Sequence, residues 1–409
     1  MNVLTSYGGR RRSTAPEPLY IGLGIVAAIV MFLVVFQCTR GLPEPDVSIT
    51  FPETTTLGEA RLPALPQEGQ AIVSVVGLGT LGQSGPVQSR PIASVTKIMT
   101  AYVLLRDHPL NPGESGPTIE VTEFDADRFW EMVAQDQSVQ PVNEGVVLTQ
   151  LQLLQGMLIP SANNYAEIAA RWDSGSVPAF VEKMNHTAQE LGMTNTRYVD
   201  VSGYETGSRS TAADLLIVAR AAMANPVFAQ IVGTKSIRLP TAGTVNNVNE
   251  LLGIDGVIGI KTGFTEDAGG NLAFAAKREA AGVQIDVVGV VLGQKDRPAA
   301  FTATRTILNS INSGLQVTRA IPAGQPVGQA DPAWGDEVDI IVNEDVMMLI
   351  WPGMMMQTTV EIEGVPPGGK AGDQVGWLNV TIGEQEARVP LTLARDIDGA
   401  GIAWKLTRF

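Results

Sequence analysis

The chain carries no charge between Leu19 and Phe36, and the uncharged run continues to Thr39 before Arg40. As a helix rising 1.5 Å per residue, this apolar stretch covers about 30 Å, the hydrocarbon thickness of a bilayer. Arg10, Arg11 and Arg12 precede it, so the positive-inside rule places the amino terminus in the cytoplasm and everything after Arg40 outside. A cleaved signal peptide is the competing reading, but no small-x-small cleavage site follows and the run is long for a signal h-region. A lipoprotein signal ending at Cys38 is weaker, because Phe36 and Gln37 are bulky where small residues are wanted. The expected order is a cytoplasmic tail over 1–18, a single-pass membrane helix over 19–39, and an extracytoplasmic remainder.

That remainder is too acidic to favour nucleic acid, since the 409 residues carry a formal charge of −14. Cys38 is the sole cysteine, and His108 and His186 are the only histidines. An internal disulfide is therefore excluded, and neither a metal site nor a cofactor is expected.

Residues 40–68 hold Pro43, Pro45, Pro52, Pro63 and Pro66 among polar neighbours with little periodicity, which reads as an extended linker. Ala71 to Val76 is a short apolar strand running into Gly77-Leu-Gly79-Thr-Leu-Gly82. The spacing matches a dinucleotide loop, but Gln83 to Pro91 holds two prolines and a glycine where such a loop needs a helix. A hairpin turn is expected instead. A helix follows from Ser94 through Leu105, and Leu148–Leu158, Tyr165–Arg171, Val177–Leu191 and Thr211–Ala224 repeat the helical pattern. Ser210 or Thr211 is placed to cap the last of these, with Asp214 as in a capping box.

The texture then changes to strands at Gly256–Gly263, Asn271–Lys277 and Val283–Leu292, joined by connections too short for parallel crossovers. They form an antiparallel meander, which a helix from about Ala299 to Ser313 closes. The fold class over 69–314 is α+β, an antiparallel sheet flanked by helices with further helices inserted between its strands. Beyond it, residues 315–409 alternate in short runs (Val338–Val342, Met347–Trp351, Thr358–Ile362, Gln374–Ile382 and Ala387–Leu393) and read as a small all-β domain. Met354-Met355-Met356 is expected on that domain's core rather than as a sticky surface.

Chemistry concentrates in three places. Ser94 and Lys97 stand three apart, so their side chains share one helix face, and only Lys97 among the lysines has a serine three residues before it. A lysine amine beside a serine hydroxyl at a helix start is one way to make serine nucleophilic. Ser161-Ala162-Asn163 forms a helix break after Pro160, and Lys261-Thr262-Gly263 lies on a strand where the glycine leaves room for a substrate backbone. His108 sits in a post-helix loop and His186 on the polar side of a helix, both surface positions. A serine acting here has lysine, not histidine, as its base.

The trio Ser-Val-Thr-Lys97, Ser-Ala-Asn163 and Lys-Thr-Gly263 resembles the S-x-x-K, S-x-N and K-T-G boxes of penicillin-binding proteins and serine β-lactamases. Ile-Ala-Ser-Val-Thr-Lys-Ile-Met-Thr-Ala-Tyr102, Leu-Ile-Pro-Ser-Ala-Asn-Asn164, Glu-Lys-Met-Asn185, Glu-Leu-Gly-Met-Thr-Asn-Thr196 and Ile-Lys-Thr-Gly-Phe-Thr265 narrow the likeness to low-molecular-mass D-alanyl-D-alanine carboxypeptidases, from about Ala71 to Gly314. The β domain with Gly-Asp-Gln-Val-Gly376 resembles that family's carboxy-terminal domain.

The resemblance implies an extracytoplasmic serine peptidase acting on peptidoglycan stem peptides and acylated by β-lactam antibiotics. Ser94 would attack the D-Ala-D-Ala carbonyl and Lys97 would take its proton, with burial and repulsion from Lys261 lowering the lysine toward neutrality. Ser161 would relay a proton to the leaving amine, and Asn163 would hold Lys97 and the substrate. Lys261 and Thr262 would face the substrate's terminal carboxylate, with Arg297 where the family often has an arginine, and Gly263 would lie against the substrate backbone. The N–H groups of Ser94 and Phe264 would form the oxyanion hole. Ala162 replaces a glycine common in the second box and is expected to disturb that turn. The family's carboxy-terminal amphipathic anchor has no evident counterpart before Phe409, so the amino-terminal span is expected to supply attachment. A β-lactamase and a catalytically silent wall-binding homologue are the two alternatives that share the boxes.

Overall fold

The structure, a computed structural model, describes residues 18–408. The expected cytoplasmic tail with its three arginines lies outside the described residues. Pro18–Thr39 is one helix, and its segment Leu19–Thr39, of mean hydropathy 2.8, is the one helix among the described residues long and apolar enough by itself to cross a membrane.

The α+β half is built on a five-stranded antiparallel sheet in the order Val257–Thr265, Gly269–Ala280, Val283–Gln294, Gln70–Val75, Gly79–Ser84. The glycine loop after Val75 is thus a hairpin turn, consistent with the prolines that follow it at Pro86 and Pro91. Strand residues point alternately to opposite faces, and the two faces fill two cores. Ile72, Ala273, Ala275, Val288 and Val290 face a helical layer, while Val73, Leu272, Phe274, Val287 and Val291 pack beneath the helix Arg297–Gly314. Both faces are covered, which is why Gln70–Val75 is buried at every position.

The inserted layer is helical as expected, with Gln150–Leu158, Asn163–Ser174, Val177–Glu190 and Ala212–Met223. Gly156 has no Cβ because one would lie 2.2 Å from the Tyr165 ring, so these two helices meet at a glycine. Thr211 caps the helix Ala212–Met223 by accepting from the Asp214 N–H at 3.2 Å. The Asp214 carboxylate does not complete a capping box. It accepts from Asn195 N and Thr196 Oγ1, both at 2.8 Å, and ties that loop to the helix. The helix Glu123–Ala134, with a Thr122–Asp125 capping box, had no counterpart in the sequence reading.

The segment 40–68 is not a plain linker. Asp46–Ile49 and Thr54–Leu57 form the two edge strands of a seven-stranded antiparallel sheet otherwise built from residues 326–393. Such edge strands need only one paired side and little apolar surface, so four-residue runs between prolines leave no alternation to read. Pro52 lies in the crossing between them, where Thr358 Oγ1 donates to its carbonyl at 2.6 Å. The β domain therefore receives strands from both sides of the α+β half in sequence. Its core holds Val338, Ile340, Val375, Leu378 and Leu391. Of the three methionines, Met356 is buried there and Met355 faces outward. The domain docks on the α+β half where Glu384 accepts from Arg220 at 2.9 Å and from Gly77 N at 3.2 Å.

Candidate active site

The turn that carries Ser94 is tighter than an α-helix. Ala93–Thr96 is a 3₁₀ turn, entered through Ala93 at φ +49°, and α geometry begins only at Lys97. In a 3₁₀ turn side chains at i and i+3 eclipse, and Lys97 Nζ accordingly lies 3.0 Å from Ser94 Oγ. Ser94 stays half-exposed whereas Lys97 is fully buried.

Lys97 Nζ also donates to Asn163 Oδ1 at 2.7 Å and to the Ser202 carbonyl at 2.9 Å. Asn163 Nδ2 is committed to Gln137 Oε1 at 2.7 Å, which leaves its oxygen facing the lysine. Both partners can only accept. A neutral amine, with two N–H bonds and one lone pair, must then turn the lone pair toward the Ser94 hydroxyl. Burial lowers Lys97 to about 7, against the opposing pull of Asp200. The expected repulsion acts instead on Lys261, which burial and then the Lys97 and Arg297 cations hold well below an ordinary lysine.

Ser161 occupies the left-handed region at φ +68°, at the mouth of the helix Asn163–Ser174. Ala162 has φ −65° and ψ 121°, ordinary values for any L-residue, and its methyl is part of the core. The strained residue of this box is the serine, so a glycine at 162 is not required by the backbone.

The third box lies on the edge strand Val257–Thr265, beside the turn that carries Ser94. The glycine serves a different purpose from the one expected. A Cβ on Gly263 would meet Ile92 O at 2.9 Å and the N–H nitrogens of Ser94 and Val95 at 3.1 Å, so its bareness admits the protein's own turn rather than a substrate. Lys261 is buried behind the strand and donates to the Thr262 carbonyl at 3.1 Å. Thr262, Gly263 and Phe264 form the cavity wall, with the Arg297 guanidinium 5.6 Å from the Phe264 ring centroid. Arg297 is held there as the first residue of a helix that Asp296 caps through Ala299 N at 2.8 Å.

Ser94, Ser161, Asn163 and these wall residues border one open cavity of about 820 Å³. Lys97 and Lys261 lie beneath its floor. His108 and His186 are elsewhere, on Asp173 and Glu190 respectively. Among the described residues no group of three or more His, Cys, Asp or Glu is arranged to hold a metal ion. The sequence reading missed Gln137 and the loop that Asp200 organises. That loop supplies the Ser202 carbonyl and presses Gly203 against Ala93, where a Cβ would lie 1.8 Å from the carbonyl oxygen.

A curled antiparallel sheet with helices on both faces and a serine–lysine turn at its edge defines a class, the penicillin-binding-protein fold of serine hydrolases. A DacD D-alanyl-D-alanine carboxypeptidase from Francisella tularensis shares this fold at 21% identity, with a TM-score of 0.59 over 82% of this chain and 95% of that one. The Peptidase_S11 profile, D-alanyl-D-alanine carboxypeptidase, matches residues 80–296, and the chain belongs to that family. A D-alanyl-D-alanine carboxypeptidase of Streptomyces sp. strain K15 is 34% identical over 237 residues, 54% of this chain and 78% of that protein. The crystal structure of the Streptomyces K15 DD-transpeptidase aligns at 30% identity and TM-score 0.53, over 64% of this chain and 98% of that one. DacB2 of Mycobacterium tuberculosis is 36% identical over 197 residues, 46% of this chain and 63% of that protein.

Proposed function

We propose that the protein is a membrane-anchored D-Ala-D-Ala carboxypeptidase that trims peptidoglycan stem pentapeptides through an acyl-enzyme on Ser94. The observation that carries this reading is Lys97 Nζ, buried, lowered to about 7 and 3.0 Å from Ser94 Oγ. Lys97 takes the hydroxyl proton as Ser94 Oγ bonds to the penultimate carbonyl carbon. The Ser94 and Phe264 N–H groups face the oxyanion, a contribution of about 3 kcal/mol in related chemistry. As the tetrahedral centre collapses, the C–N bond breaks and Ser161 passes the proton from Lys97 to the departing D-alanine amine. Water, deprotonated by the same lysine, then cleaves the ester.

Thr262 and Arg297 receive the terminal carboxylate at the cavity wall, and buried Lys261 adds positive potential behind them when protonated. Asn163 holds Lys97 through one atom and the substrate backbone through the other, once Gln137 yields the amide. β-Lactams enter by the same route, because their strained amide presents a carbonyl to Ser94 and leaves the amine tethered. The catalytic domain spans 69–314 and the β domain 315–409, with 46–57 stitched into the latter. The helix 19–39 holds both to the membrane, amino terminus inside, so the cavity faces the wall.

The test is release of D-alanine from a stem pentapeptide by the full-length protein in detergent, with an acceptor amine supplied in parallel. Hydrolysis without the acceptor, abolished by Ser94→Ala, is the expected result. Product formed only as the acceptor adduct means the chain is a transpeptidase, and no product in either arm overturns the reading.

A further inference from the structure

Asp200 gathers five hydrogen-bond donors from its own loop onto one carboxylate. Its oxygens accept from Ser202 Oγ at 2.8 Å, Tyr204 N at 2.9 Å, Ser202 N at 3.3 Å and Glu205 N at 3.4 Å, and from Ser208 Oγ. Three of these donors are backbone N–H groups and two are serine hydroxyls, and together they converge on the two carboxylate oxygens. These bonds fold residues 200–208 around one charge. The folded loop then touches the nucleophile helix twice. The Ser202 carbonyl accepts from Lys97 Nζ at 2.9 Å, and the Val201 carbonyl accepts from Thr100 Oγ1 at 2.7 Å.

The charges facing Lys97 come from separate elements. The nucleophile turn offers the neutral Ser94, and the helix Asn163–Ser174 the neutral Asn163. The strand Val257–Thr265 offers Lys261, which burial holds well below an ordinary lysine, with Arg297 acting on Lys261 from the next helix. The loop contributes the anion, and its pull on Lys97 opposes the effect of burial.

We propose that Asp200 is a positioning residue for acyl transfer: its carboxylate holds the Ser202 carbonyl on Lys97 and stabilises the lysine cation formed when Ser94 gives up its proton. This rests on Lys97 being the base. The arrangement trades base population for base strength. An anion near the amine leaves fewer neutral lysines at a given pH but makes each a stronger acceptor at the moment of attack.

The experiment compares full-length wild type with Asp200→Asn and Asp200→Ser, each shown to be folded by near-UV circular dichroism. Two profiles are recorded from pH 5 to 9: acylation by a fluorescent penicillin, and the NMR titration of the Lys97 side chain. Removing the anion should move both midpoints about one pH unit lower. With a wild-type midpoint near 7, the acylation rate at pH 6, as a fraction of each enzyme's own plateau, should rise about five-fold. The plateau itself should fall, and Asp200→Glu should restore the wild-type midpoint. If the lysine titration moves while the acylation midpoint stays, Asp200 acts on Lys97 but Lys97 is not the base, which overturns the mechanism proposed for Ser94 and with it this role in acyl transfer. An unmoved lysine titration in a folded variant overturns the inference.

Discussion

Replacing Gly263 by alanine tests whether the third box and the turn that carries Ser94 are mechanically one unit. The added methyl would meet Ile92 O at 2.9 Å, Ser94 N at 3.1 Å and Val95 N at 3.1 Å. All three are backbone atoms, so no side-chain rotation relieves the clash. Ordinary contact lies near 3.5 Å or beyond, so strand and turn must separate by roughly half an ångström. Overpacking of this kind costs about 1–3 kcal/mol, a fall in Tm of roughly 5 °C for a domain of this size. The functional loss is larger. The shift moves the Ser94 N–H, a proposed oxyanion donor, and loss of one such donor costs about 10²- to 10³-fold. Stopped-flow acylation by a fluorescent penicillin should therefore slow by about 10²-fold in a protein that still melts cooperatively. Acylation within two-fold of wild type in folded Gly263→Ala would refute the close-contact argument.

Three further outcomes follow from the geometry. Because Lys97 must be neutral to accept a proton and its pKa is lowered to about 7, acylation should rise with pH through about 7 and level off above it. A limb near that of an ordinary lysine would contradict the assignment. Ala162→Gly should leave acylation and deacylation unchanged, because φ −65° needs no glycine, and should cost about 1 kcal/mol in a melting experiment through the lost buried methyl and added chain entropy. Glu384→Ala removes the half-exposed Arg220 contact between the domains. It should lower stability by about 1 kcal/mol or less, with penicillin acylation unaffected.

Much of the fold was legible because it is written in periodicity. The sheet strands alternate between two cores, and Val283–Gln294 with its valines and isoleucine and Gly269–Ala280 with its apolar run Leu272–Ala276 announce themselves. The three boxes were legible as residue types at short spacing. What escaped depends on partners distant in sequence or on backbone shape. Asp46–Ile49 is a strand only because Pro326–Asp331 lies beside it. Asp200 matters through a carbonyl two residues away, which no side-chain pattern records. The left-handed Ala93 and Ser161 are ordinary residues in uncommon conformations, held there by the packing around them. Gly263 was correctly singled out as an open position, but only the structure says that the space belongs to Ile92 and Ser94. The doubt attached to Ala162 dissolves for the same reason, since the tight position is its neighbour.

The central claim is that Ser94, served by Lys97, forms a covalent acyl-enzyme. Intact-protein mass spectrometry of the full-length chain after brief exposure to benzylpenicillin tests it most directly, followed by peptide mapping. The account predicts a gain of one penicillin per chain, localised to the peptide holding Ser94 and absent from Ser94→Ala. No adduct in folded wild type, or an adduct on Ser161 that survives Ser94→Ala, would contradict it.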